Sequence, residues 1–332
     1  MSTAPQPPVA DDLPPVIVGA GPAGIRAAQT LAAHGLRPIV LDEGRRGGGQ
    51  IYRQPPPGFA RDAQALYGFE ASRAQAVHAA LNDNLSRIDY RPERLVWNAG
   101  PGWLEVLHQD RSQRLPWRDV IVATGVTVRM PRIEGIDHPK VLSYLDVLRG
   151  GAAVGKRVAI IGAGGIGFDT AEFLLHDPLD ALPVPVHKWM GEWGVDPAVR
   201  KAGGLAEADK PTPLRSIWLL QRKTTRPGAG LGKTSGWVHR ATLARNGVVM
   251  MAGVQYERID DAGLHITVGG ERKLLEVDNV VICAGQESLA ELMPSDETKA
   301  GPRFYKIGGA ALAAELDAKR AIREGAELAA RL

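Results

Sequence analysis

An α/β protein with two parallel-sheet units is what this sequence predicts, on three observations. The stretch VIVGAGPAGIR occupies residues 16–26, and VAIIGAGGIGF at residues 158–168 repeats its pattern. Two further β-branched runs, DVIVATG at 119–125 and VDNVVICAG at 277–285, each end in a small, glycine-terminated turn. A chain of 332 residues, 44% of them hydrophobic, can bury more than one core, so two such units suit its length.

The first loop carries its full local context. Val16 to Val18 predict a short strand, Gly19-x-Gly21-x-x-Gly24 follows directly, and IRAAQTLAAHG continues as a helix with small residues toward the sheet. Gly19 permits the tight turn, Gly21 lets backbone approach a pyrophosphate, and Gly24 lets helix and strand pack closely. The helix N-terminus then faces the anion. A second strand follows at PIVL and closes on Asp42, about 20 residues beyond the first glycine, where a carboxylate accepts both hydroxyls of an adenosine ribose. Glu43 is the alternative acid. A lone glycine loop also occurs at ordinary strand-to-helix turns. Strand, loop, helix, strand and acid in order predict a Rossmann-like dinucleotide site.

The second loop repeats the design at Gly162-x-Gly164-x-x-Gly167, between VAII and FDTAEFLLH. No acid follows at the usual interval. The chain enters a stretch from Asp177 to Ser216 with six prolines and then resumes as the strand IWLLQRK. At its end stand Gln221, Arg222 and Lys223, where a carboxylate would repel a 2′-phosphate and cations attract one. A solvated strand end would also carry such cations. The pattern favours NADPH, with NADH as the alternative. Two cradles in one chain suit two dinucleotides that exchange a hydride, a flavin in the first and a nicotinamide in the second.

Three segments point to FAD in the first. GRRGGGQIYR follows Asp42, and its Gly48, Gly49 and Gln50 let backbone pass close to the ribityl and pyrophosphate region. Thr124 and Gly125 close the strand DVIVATG beside the cofactor, and VDNVVICAG repeats that ending. The two turns read as crossings between domains.

Composition removes several other classes. A formal net charge of +3 and scattered basic residues do not form a nucleic-acid surface. The single cysteine, Cys283, excludes an intramolecular disulfide, a protein-held iron–sulfur cluster and a Cys-x-x-Cys pair, so redox chemistry falls to a bound organic cofactor. Cys283 itself reads as an inert residue of an apolar strand. The histidines lack metal-ligand spacing. No apolar run reaches the roughly eighteen residues of a membrane span, and the opening MSTAPQPPVADDLPP lacks a secretory layout, so cytoplasm is the expected compartment. Residues 1–12 read as a flexible tail, and Trp189 and Trp193 as packing anchors within the proline-rich insertion.

Residues 16 to about 125, through GAGPAG, LDEGRRGGGQIYR and VIVATG, resemble the FAD-binding part of opine oxidase and hydrogen cyanide synthase flavoprotein subunits. Residues 126–332 resemble the C-terminal FAD/NADPH part of bacterial 2,4-dienoyl-CoA reductase, through VAIIGAGGIGFDTAEFL, EWGVDPAVRKAGGL, LLQRKTTRPGAGLGKTSGWVHR and ELDAKRAI. Both belong among flavoproteins like the pyridine nucleotide-disulphide oxidoreductases. The resemblance implies an FAD domain over 13–150 and 286–332, interrupted by an NAD(P)H domain over 151–285 with the insertion 177–216. It further implies that His239 and Arg240 face NADPH, and that Gly309 lies at the flavin, at the start of a helix formed by GGAALAAELDAKRAIREGAELAARL.

Two departures stand out. The barrel and cysteine cluster of the dienoyl-CoA reductases are missing from this sequence, and the return segment reads Gly308-Gly309-Ala310-Ala311 where such flavoproteins carry a carboxylate. The change of resemblance near residue 125 suits either a recombinant chain or a separate natural branch. Three functions remain in view. The leading one is an FAD-dependent oxidoreductase that takes hydride from NAD(P)H and passes electrons to an external acceptor or partner protein. The others are the flavin subunit of an opine- or amino-acid-oxidising complex, and a folded scaffold without turnover.

Overall fold

The computed structural model describes residues 13–176, 184–293, 303–314 and 316–332. The expected tail, residues 1–12, and the opening of the insertion, 177–183, lie outside them. The chain divides into two compact units, one running to Thr127 and resuming at Gln286, the other spanning Val128–Gly285. The second is therefore inserted in the first. The first crossing lies at Thr127 and Val128, ahead of the position expected near 150. The reason is strand Val141–Ser143, which pairs in parallel with Asn279–Ile282 and so belongs to the second sheet.

Within the first unit, five parallel strands take the order Phe304–Lys306, Val120–Val122, Val16–Val18, Ile39–Leu41, Asp89–Arg91. The three central strands read VIV, IVL and VIV and are wholly buried, as a parallel sheet covered on both faces requires. Alternation then sorts the side chains. Ile17, Val40 and Ile121 pack with helices Pro22–Ala33 and Ala71–Asn82, whereas Val16, Val18, Leu41 and Val120 pack with Val96, Leu104 and Val106 of an antiparallel sheet. That second layer comprises Leu95–Gly100, Trp103–His108 and Arg111–Pro116.

The second unit repeats the plan. Its parallel order is Val249–Met251, Ser216–Leu220, Arg157–Ile161, Asn279–Ile282, Val141–Ser143. Val158, Ile160 and Leu219 face helices Gly165–Leu175 and Gly236–Arg245 through Phe168 and Leu243. Ala159, Ile161 and Val280 face the antiparallel strands Gln255–Asp260, Gly263–Val268 and Glu271–Leu275 through Ile259, Leu264 and Ile266. In both sheets the strand feeding the glycine loop is the central one. Both loops therefore open at the carboxyl edge of a sheet, where ligands of open α/β sheets bind.

The C-terminal helix begins later than the sequence suggests. Gly308–Ala310 is a separate 3₁₀ turn, and the helix spans Ala318–Ala329, N-capped by Asp317, whose carboxylate accepts the Lys319 N–H at 2.9 Å. Gly308 adopts φ +62°, which breaks helical continuity at that point. In the described part of the insertion, the Trp193 ring lies 5.1 Å from the Arg245 guanidinium and 6.3 Å from the half-exposed Trp189 ring, so the two tryptophans pack together.

The tightest contact in each unit lies where helix meets loop. A Cβ on Gly24 would stand 1.9 Å from the Gly19 oxygen, and one on Gly167 would stand 1.8 Å from the Gly162 oxygen. Both oxygens belong to the backbone, so the clash cannot be relieved by a rotamer. Gly24→Ala and Gly167→Ala should each destabilise the chain by at least about 1–3 kcal/mol in denaturant melts. Gly165→Ala, whose Cβ meets nothing within 4 Å, should leave the midpoint nearly unchanged.

Candidate nucleotide-binding sites

In the first cradle, Gly19 turns at φ +109° with its Cα against the Ala123 carbonyl, 2.4 Å from where a Cβ would sit. Helix Pro22–Ala33 opens with Gly21 as N-cap and Pro22 in its first turn, with no side chain capping its N–H groups. The following glycine run lies on this loop. Gly48 donates its N–H to the Ala20 carbonyl at 2.8 Å, and a Cβ on Gly49 would come 2.8 Å from the Gly21 Cα. Gly125, at φ +83°, has nothing within 4 Å of its Cβ direction, and Gly21 meets only the Gly49 Cα at 3.7 Å. Free helix N–H groups and glycines beside open space fit the phosphates and ribityl chain of a flavin dinucleotide.

Asp42 stands where the sequence places it, just past strand Ile39–Leu41. Its Oδ2 accepts the Ala20 N–H and its Oδ1 accepts the Gly44 N–H at 2.7 Å. The carboxylate is thus tied to the glycine loop itself, and each oxygen retains a lone pair for a ribose hydroxyl. Burial raises its pKa above the usual carboxylate value, while the two N–H donors oppose that rise. Glu43 is exposed. Gln50 donates from Nε2 to the Val126 carbonyl at 3.3 Å, and the Thr124 hydroxyl donates to the Leu289 carbonyl. Both side chains therefore tie the loops together. Gly309 belongs to the same ensemble, because its Cβ direction meets Val126 Cγ1 at 2.9 Å and Gly125 at 3.0 Å.

The second cradle repeats the turn of the first. Gly162, at φ +118°, packs against the Cys283 carbonyl, and Gly164 and Gly165 have nothing within 4 Å. Gly164 is the N-cap of helix Gly165–Leu175, again with no side-chain cap. Cys283 is buried beneath, its pKa pushed up to about 12 by desolvation, and its Sγ lies 3.6 Å from Thr170 Oγ1. Such a thiol is inert.

Strand Ser216–Leu220 ends before Arg222 and Lys223, which occupy the next turn and are exposed. Gln221 organises that turn by donating from Nε2 to the Lys223 carbonyl at 3.1 Å and to Thr225. The Gly253 N–H donates to the Lys223 carbonyl at 2.9 Å, pinning the turn to the neighbouring loop. His239 Nδ1 lies 3.1 Å from Glu172 Oε1, joining two helices. Arg226, which the sequence did not single out, lines a cleft of about 350 Å³ with Trp237, Arg240 and Met250. The available signal was charge spacing, since Arg226 continues the cationic turn begun by Arg222. Among the described residues there is no group of three or more potential metal ligands, and no helix long and apolar enough to cross a membrane.

A family model described as pyridine nucleotide-disulphide oxidoreductase matches residues 14–303. A metal reductase of Desulforamulus reducens is 24% identical over 287 residues, covering 83% of this chain and 38% of the relative. An opine oxidase subunit of Agrobacterium tumefaciens is 29% identical over 213 residues, covering 57% of this chain and 42% of the relative. The chain thus spans under half the length of these relatives. Thioredoxin reductase of T. acidophilum shares the fold, with a TM-score of 0.59 at 18% identity and 96% of each chain covered.

The raised pKa of Asp42 gives a pH dependence. A carboxyl whose folded pKa exceeds its unfolded one binds more protons folded than unfolded, so its contribution to cofactor-free stability falls as pH rises through that window, upward from about 4. Flavin affinity should move the opposite way, because protonation removes acceptor capacity for the ribose. Titrations should show FAD binding strengthening as pH rises through the Asp42 pKa, with that dependence lost in Asp42→Ala.

Proposed function

This chain belongs to the pyridine nucleotide-disulphide oxidoreductase family, and on that premise we propose that it takes hydride from NAD(P)H, with NADPH favoured, onto FAD and delivers electrons to an external acceptor. The observation that carries this reading is the duplicated cradle with opposite charge beside it. Asp42 follows the second strand of the first unit, whereas Arg222 and Lys223 follow the corresponding strand of the second.

In the first unit, Gly19, Gly21 and Gly24 would hold the flavin pyrophosphate, Asp42 the adenosine ribose, and Gly49, Gly125 and Gly309 the close backbone approach to the ribityl chain. In the second, Gly162, Gly164 and Gly167 would hold the nicotinamide pyrophosphate, with Arg222 and Lys223 on the 2′-phosphate. When bound, the nicotinamide supplies a hydride and the flavin accepts it, chemistry that needs no acid or base from the protein. The protein's part is alignment and exclusion of water. With one cysteine, the chain cannot form an internal disulfide, so the acceptor lies outside these 332 residues.

Similarity to the Agrobacterium opine oxidase protein supports a second reading, in which an amino-acid-derived substrate reduces the flavin within a multisubunit enzyme. Anaerobic titration of the flavin-loaded chain separates the two. Bleaching of the flavin band by NADPH supports the first; bleaching by an opine alone overturns it in favour of the second. Combined Arg222→Ala and Lys223→Ala should raise the NADPH requirement tenfold or more, as loss of charge-assisted bonds implies, and leave the NADH requirement within about twofold. Equal effects on both nucleotides would remove the 2′-phosphate assignment.

A further inference from the structure

The return segment into the first unit closes against the first cradle. Strand Phe304–Lys306 pairs with Val120–Val122, and the next turn brings Gly308 within reach of helix Pro22–Ala33, its Cβ direction 3.1 Å from Ala23 Cβ. Gly309 packs on Gly125 and Val126. Residues 308–312 read Gly-Gly-Ala-Ala-Leu, so this turn has no polar side chain with which to hold itself. Its internal bonds are two, the N–H groups of Ala311 and Leu312 donating to the Gly308 carbonyl at 3.1 Å each.

The missing support comes from helix Ala318–Ala329. Glu324 Oε2 accepts the Gly308 N–H at 2.6 Å, while its Oε1 lies 3.4 Å from Arg320 Nη1. Arg320 in turn donates from Nη2 to the Leu312 carbonyl at 2.8 Å and the Ala314 carbonyl at 3.2 Å. An anion thus takes the donor at the start of the segment, and a cation one helical turn away takes the acceptors at its end. The pair is largely withdrawn from solvent, with side chains 18% and 27% exposed, so water competes weakly for these bonds. Gly325 makes the reach possible, because a Cβ there would lie 2.3 Å from the Ala23 carbonyl, and its absence lets the two helices close up.

We propose that Arg320 and Glu324 are positioning residues for the first cradle, clamping the Gly308–Ala310 turn against Gly125 and Ala23 in the geometry that receives the flavin. The proposal rests on the reading that the first unit holds FAD. A turn already ordered spares the ligand the entropy of ordering it, so the clamp acts on affinity rather than on contacts. It assigns a role to two residues whose bonds go to each other and to the backbone of Gly308, Leu312 and Ala314.

The test uses the full chain, FAD as probe, and the variants Glu324→Ala, Glu324→Gln and Arg320→Lys. Three quantities are read: the FAD dissociation constant by quenching of flavin fluorescence, hydrogen exchange of amides 308–314 without flavin, and the melting midpoint without flavin. Glu324→Ala should weaken FAD binding at least tenfold and speed exchange of those amides at least tenfold, with the midpoint little moved. Glu324→Gln, which keeps an acceptor oxygen, should recover part of both. Unchanged affinity and exchange in Glu324→Ala and Arg320→Lys, against a wild type that binds FAD, overturns the clamp. Affinity loss that tracks a fall in the midpoint, with exchange rising throughout the unit, overturns it too. A wild type that takes no flavin removes the underlying reading and the proposal together.

Discussion

Everything in this molecule depends on how closely backbone can approach backbone at the two glycine turns. Where strand Val16–Val18 hands over to its helix, the Gly24 Cα sits against the Gly19 oxygen, and Gly19 sits against Ala123 of the neighbouring strand. Gly162, Gly167 and Cys283 do the same in the second unit. Side chains at these points would push helix, loop and strand apart. Without them the first helical turn is held at the sheet edge with its N–H groups uncapped, which is the physical requirement for an anion site.

That constraint propagates outward through layers rather than through a single network. Continuous apolar runs bury the central strands, and alternation along them directs odd and even residues to a helical layer and an antiparallel layer. Because both units use the same layering, their glycine loops occupy equivalent places, and the residues just past the second strand differentiate them. Asp42 is drawn into the first loop by the Ala20 and Gly44 N–H groups despite the desolvation that raises its pKa. Arg222 and Lys223 project from a turn that Gln221 and Gly253 hold in place.

The return segment shows how a sequence lacking polar groups can still be held in place. Gly308 to Leu312 borrow their order from Arg320 and Glu324, residues displaced along the chain and made neighbours by helix packing at Gly325. Polar supports of this kind leave no local motif, since their partners are backbone atoms of a different segment.

Local chemistry decided much on its own. The turns at Gly19 and Gly162, the buried strands and the place of Asp42 were legible because each follows from short-range rules: positive φ, apolar runs, and an acid at the strand end. Cys283 was legible as inert for the same reason. Other features required the tertiary structure. The crossing at Thr127 depended on Val141–Ser143 finding a distant strand partner, and the helix start at Ala318 depended on Asp317, extended and accepting the Lys319 N–H as its cap. Thr124 and Gln50 turned out to bind backbone, His239 paired with Glu172, and Arg226 came to line a cleft with Trp237 and Arg240. Sequence spacing states the order of residues along the chain, but long-range pairing alone determines which donor meets which acceptor.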